Sequence, residues 1–146
     1  MYVGQAGQQW IHELLYRRPG LAMVSELADV EIPSLLSRSL RNHVISDEEH
    51  QGILGRYDVD TSSDGPIGVH RLSPATYALA RQIVLDEVVG TLDAVHLAGA
   101  LQVHRQDPDR QPVTLVTLDR RQAMAGRRLG LTVVDDPPVT GADREG

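Results

Sequence analysis

The sequence contains no cysteine, no phenylalanine and no lysine among its 146 residues. Without cysteine there is no disulfide framework and no thiolate metal site, and a cytoplasmic location is the default expectation. Without phenylalanine, and with aromatics at 3%, the core has to be assembled from Leu, Val, Ile and Ala. All 14 basic residues are arginine. A GC-rich coding sequence is a sufficient cause, although the arginine fork also suits phosphate and carboxylate partners. No apolar run approaches the roughly 20 residues that span a bilayer. The opening MYVGQAGQQW has no charged stretch followed by an apolar one, so no signal peptide is expected. The net charge of −6 argues against a general electrostatic nucleic-acid binder. It leaves room for a nuclease whose site is acidic and filled by a cation.

The length fits one globular domain. Helical and extended patterns alternate along it. Residues 5–17 carry the i,i+4 pairs Trp10–Leu14 and Ile11–Leu15, and Pro19-Gly20 stops that helix. Leu21 to Val24 reads as a buried strand. Ser25 can cap a helix over SELADVEIPSLLSRSL, with a kink or restart near Ile32 because Pro33 has no N–H for Asp29. Ser46-Asp47-Glu48-Glu49 is a capping box that opens a helix to about Tyr57. Asp58 to Pro66 reads as a loop or a frayed helix end and Ile67 to Leu72 as a strand. Ser73-Pro74 is an N-cap with proline at N1, opening a helix to about Glu87 with Leu79 and Ile83 inward.

Thr91 to Arg105, TLDAVHLAGALQVHR, reads as a helix capped by Thr91. With Leu92, Val95, Ala98, Gly99 and Leu101 around it, this helix is expected to be buried on most sides. Val113 to Leu118 is a strand. Asp119 then caps RRQAMAGRRLG, with Gln122 as the expected box partner and Gly130 as the C′ residue. Leu131 to Val134 is a last strand, and residues 135–146 have the composition of a disordered tail. Such alternation implies βαβ units and a mostly parallel sheet, with any site at the carboxyl ends of the strands.

Three carboxylates stand out. Asp93 lies in a helix first turn, Asp119 follows the apolar run VTLVTL, and Glu31 interrupts the Leu27–Leu35 ridge. Dipole stabilisation explains Asp93, an N-cap role explains Asp119, and an interior salt bridge to an arginine explains Glu31. Brought together, the three would instead hold Mg²⁺ or Mn²⁺ through hard oxygen ligands and activate water. The stretch Asp60-Thr61-Ser62-Ser63-Asp64-Gly65 starts like a calcium loop, but Arg71 stands where the bidentate acid belongs, so an EF-hand is excluded. His96 reads as a core histidine rather than a ligand. No phosphate-binding glycine loop and no HExxH pattern is present.

The segments SELADVEIPSLLSR, TLDAVHLAGAL and VTLVTLDRRQAMAGRRLGL, in this order, resemble the PIN domain, in particular VapC-type toxins of prokaryotic toxin–antitoxin pairs. The resemblance covers residues 2–134. It implies a three-layer α/β/α sandwich with a mostly parallel central sheet. It also implies a Mg²⁺- or Mn²⁺-dependent endoribonuclease, usually a homodimer, silenced by a VapB-type antitoxin. By position, Glu31, Asp93 and Asp119 match the second, third and fourth acidic motifs, and Thr117 matches a small polar residue beside the last. The family's first strand and the Asp at its end have no counterpart here, so the expectation is a PIN-like domain over 1–134 lacking that strand. The alternative expectation is a non-catalytic PIN-like module for antitoxin binding or dimerisation.

Overall fold

The computed structural model describes residues 22–106 and 113–135. The helix expected over 5–17 and the tail from 136 onward lie outside these. The described residues are α/β, with five helices and four short strands. They fall into two compact units, divided between Leu72 and Ser73.

In the first unit, β1 (Ala22–Ser25) and β2 (Ile67–His70) form a parallel pair, with Ala22 opposite Ile67 and Ser25 opposite His70. Between them in sequence run α1 (Ala28–Arg41) and α2 (Asp47–Asp60), which pack on each other. The Ser46 capping box is formed: its hydroxyl accepts from the Glu49 N–H at 3.1 Å, and the Glu49 carboxylate accepts from the Ser46 N–H at 2.8 Å. Tyr57 donates its hydroxyl to Asp29 at 2.7 Å, tying α2 to α1. Burial and the Asp29 carboxylate both push the Tyr57 phenol above its ordinary range. Glu26 accepts from the Leu72 N–H at 2.8 Å and from Arg71 at 3.3 Å, which holds the end of β2.

Two expectations for α1 are corrected. Ser25 is not its N-cap; that position is Leu27, and the Ser25 hydroxyl instead accepts from the Leu27 N–H in the turn before it. Nor does the helix restart near Ile32: it runs unbroken through Pro33. Proline removes one ladder hydrogen bond, and the surrounding turns keep theirs.

In the second unit, α3 (Pro74–Asp86) packs along α4 (Thr91–Gln106), and α5 (Arg120–Arg128) rests against α4 and β4. Strands β3 (Thr114–Val116) and β4 (Thr132–Val134) form a second parallel pair. Small residues let α4 sit in the middle: Ala94 and Ala98 are fully buried beside Leu97, and Ala123 and Ala125 of α5 are buried likewise. Ile83 of α3 closes the core from the other side. The expectation that Leu92 is buried is corrected, since half of it is exposed where α4 begins. Gly126 is required by close approach: a Cβ there would stand 2.9 Å from Leu115 and 3.1 Å from Val133. Gly130 has φ +87°, the left-handed C′ conformation that stops α5 and turns the chain into β4. Asp135, where the tail was expected to begin, is held by Arg127 through two hydrogen bonds of 2.9 and 2.7 Å. That guanidinium keeps its carboxyl below the ordinary Asp range.

Candidate functional site

The second unit brings two of the three expected carboxylates to one residue. Asp93 lies in the first turn of α4 and is half-buried. Asp119 is the N-cap of α5 and is exposed. The Gln122 backbone N–H donates to Asp119 Oδ1 at 2.9 Å. Its side-chain amide donates to Asp93 Oδ1 at 3.4 Å. Both acids therefore stand at helix N-termini, where the macrodipole favours negative charge, and both are held by the same glutamine.

The local sequence explains this arrangement. Asp119 follows β3 by a short turn, and the next residues form α5. The expected box contact, from the Gln122 side chain back to the Asp119 N–H, is not made. Thr117 takes that N–H instead, at 3.0 Å from its Oγ1. Thr117 is 5% exposed and Gln122 is 8% exposed, so both are interior polar groups whose hydrogen bonds matter. With the Asp119 N–H already served, the Gln122 amide crosses to α4.

Gly90 precedes α4 beside this pair; a Cβ at Gly90 would meet Asp93 Oδ2 at 3.5 Å. Gly90 also lines an open cleft of about 530 Å³, with Asp86, Glu87, Val88 and Arg121 among its walls. Arg128 reaches Glu87 at 2.5 Å, which ties the α3–α4 loop to α5. Leu85 in the last turn of α3 and Val88 on this loop are 70% and 80% exposed.

Glu31 belongs to the first unit, half-buried on α1. Among the described residues no group of three or more His, Asp or Glu side chains is placed to hold a metal ion. The pair Asp93–Asp119 is what the second unit supplies by itself. Two carboxylates suit Mg²⁺ in particular, because that ion keeps several waters and is commonly bound by one or two carboxylates. The Thr117 hydroxyl supports Asp119 from behind. His96 is half-buried on α4, one turn beyond Asp93.

Sequence reasoning singled out Asp93 and Asp119 but gave Gln122 only a capping role. The missed signal was its position. A glutamine three residues after an N-cap points along the helix axis toward whatever lies before it, and here that is the start of α4. No family model matches the chain, and no curated protein or solved structure matches it.

Proposed function

We propose that this chain is a PIN-like, metal-dependent endoribonuclease of the VapC type, the toxin of a toxin–antitoxin pair. The observation that carries the reading is the convergence of Asp93 and Asp119 on Gln122, two carboxylates from separate helix N-termini that accept from one residue's side-chain amide at 3.4 Å and backbone N–H at 2.9 Å respectively. Each acid alone has a sufficient structural role; a buried glutamine that serves both is harder to derive from capping. The two parallel strand pairs are compatible with the finer architecture proposed, a three-layer α/β/α sandwich around a mostly parallel sheet.

A bound Mg²⁺ or Mn²⁺ would supply an activated water and charge stabilisation at the phosphodiester. Asp93 and Asp119 would hold it, with their carboxylates kept apart and oriented by Gln122. Glu31 enters by resemblance alone, as the match to the family's second acidic motif. A homodimer and a VapB-type antitoxin are the proposed partners, and the cytoplasm is the proposed location; no helix among the described residues is long and apolar enough to cross a membrane.

The test is cleavage of a structured RNA by the purified protein in Mg²⁺, in Mn²⁺ and in chelator. The reading requires metal-dependent cleavage that is lost in Asp93→Asn. Equal cleavage by the parent and the variant, or cleavage that survives chelation, rejects it.

A second reading, a non-catalytic PIN-like module for antitoxin binding or dimerisation, is favoured by one observation. Leu85 in the last turn of α3 and Val88 just after it present apolar side chains to solvent, at 70% and 80% exposure. Antitoxin binding or self-association without metal-dependent cleavage would support it.

A further inference from the structure

We infer that the cleft at the end of α3 takes an acidic peptide, in which one carboxylate flanked by aliphatic side chains is seated on Arg121. The inference rests on the second reading above, in which this face binds a protein, and gives that partner a chemistry. It needs no metal ion and no cleavage.

The cleft, of about 530 Å³, is lined by Val84, Leu85, Val88 and Val89 together with Arg121 of α5. Its volume lies in the range of ligand sites rather than of packing gaps. Leu85 and Val88 are 70% and 80% exposed, so neither contributes to the core of the second unit. The chain around them is nevertheless held. The Gln82 amide donates to the Asp86 carboxylate at 2.8 Å, and the Glu87 N–H donates to the Ile83 carbonyl at 2.8 Å. Arg128 grips the Glu87 carboxylate from α5. A surface held in this way costs a ligand less in ordering on binding.

Charge selects the occupant. Asp86, Glu87 and Arg121 are the charged side chains of the cleft. Both carboxylates are already engaged, Asp86 by Gln82 and Glu87, only 11% exposed, by Arg128. Arg121 makes no hydrogen bond or ion pair among the described residues. Its place in the helix gives it no structural role either. It stands in the first turn of α5, where the macrodipole disfavours a cation, and Met124 and Ala125 occupy the positions three and four residues on, where an acid would pair with it. The cleft therefore offers one uncommitted cation beside a run of aliphatic side chains. A peptide carboxylate with Leu, Ile or Val next to it satisfies both.

Other occupants match this charge pattern less closely. A second copy docked cleft to cleft would bring a second Arg121 and no uncommitted cleft carboxylate to meet it. An RNA strand would set successive phosphates against Asp86 and Glu87, with a single free cation to offset them.

The experiment pans a phage-displayed library of short random peptides on the whole protein. The strongest binder is synthesised with a fluorescein label, and again with each Asp or Glu replaced by its amide. Fluorescence anisotropy gives the Kd. Acidic residues beside Leu, Ile or Val should be enriched in the selected set. The amide peptide should bind the parent about 5-fold more weakly, and Arg121→Gln should cost the acidic peptide as much. The two losses should not add, since they remove one contact. Leu85→Ser and Val88→Ser should each weaken binding by about 10-fold or more. Arg120→Gln, outside the cleft lining, should leave Kd at the parent value. Circular dichroism is run on each variant. The amide peptide requires no change in the protein, so it decides the matter if Arg121→Gln does not fold.

Selected peptides without acidic residues, or an amide peptide that binds the parent as tightly as the acidic one, overturn the inference and leave a protein-binding face standing. Sedimentation equilibrium of the parent and Leu85→Ser, and anisotropy with a labelled single-stranded RNA, test the other occupants. Self-association that is lost in Leu85→Ser, or RNA binding that is lost in Arg121→Gln, assigns the cleft to those partners and overturns the peptide. A library that yields no binder overturns it as well, and a parent that is then also monomeric takes the second reading down with it.

Discussion

Thr76 on α3 is fully buried and gives its hydroxyl to Gln102 on α4 at 2.6 Å. The contact joins the N-terminal turn of one helix to the C-terminal half of the other. It is a buried polar link between the two helices that pack on each other in the second unit. Thr76 also closes its own capping box with Ser73, whose N–H it accepts at 3.0 Å. Thr76→Val keeps the shape, deletes both contacts and leaves the Gln102 oxygen without its donor. The expected cost is about 1–3 kcal/mol. Urea unfolding checks it: the midpoint should fall with the slope unchanged.

Replacing Asp93 or Asp119 by asparagine should separate structure from chemistry. Asparagine is itself a good N-cap, so Asp119→Asn should lose no more than a few tenths of a kcal/mol of stability. RNA cleavage in Mg²⁺ should fall more than about 100-fold in either variant, beyond what removal of an outer partner costs. A variant that melts like its parent and cleaves like its parent would return both acids to capping roles.

The glycines of the first unit make a contrast. Gly52 and Gly55 lie inside α2 with nothing within 4 Å of an added Cβ. Gly52→Ala and Gly55→Ala should each stabilise by about 0.5–1 kcal/mol through reduced chain entropy. Gly65 is the opposite case, since its Cβ would fall 2.2 Å from the Asp60 carbonyl oxygen. That neighbour is backbone and cannot turn aside, so Gly65→Ala should lower the melting temperature. Thermal melts of the three variants give the signs directly.

Tyr57 gives a pH dependence at the alkaline end. Burial first, then the hydrogen bond to Asp29, raises the phenol above its ordinary value of 10.0. A group raised in the folded state contributes stability that is complete below the unfolded value and is lost as pH climbs toward the folded one. Urea midpoints should therefore hold up to about pH 10 and decline above it. In Tyr57→Phe this part of the decline should be absent.

Local chemistry was legible in the sequence wherever one residue decides a structure with its near neighbours. The Ser46 box and the Ser73-Pro74 helix start form as their spacing predicts. So does the Gly130 stop, because only backbone φ and a short hydrogen bond are at stake. All four strands were placed, and the last three were drawn too long. Val113 to Leu118 was expected and Thr114–Val116 pairs, because a strand's ends depend on where its partner stops. At Pro33 the expected restart does not occur, and α1 runs on as one helix.

What the sequence by itself determined is therefore the order of elements, most of their ends and the two acids at helix starts. Only the tertiary structure decided that Asp93 and Asp119 share Gln122. Nothing in a spacing of 26 residues between the acids requires α4 and α5 to meet at their N-termini. That meeting comes from the small, buried faces of Ala94, Ala98, Ala123 and Ala125, and from the absence of a side chain at Gly126. Close approach of helices is a property of volumes summed across elements. It becomes visible only when the core is packed.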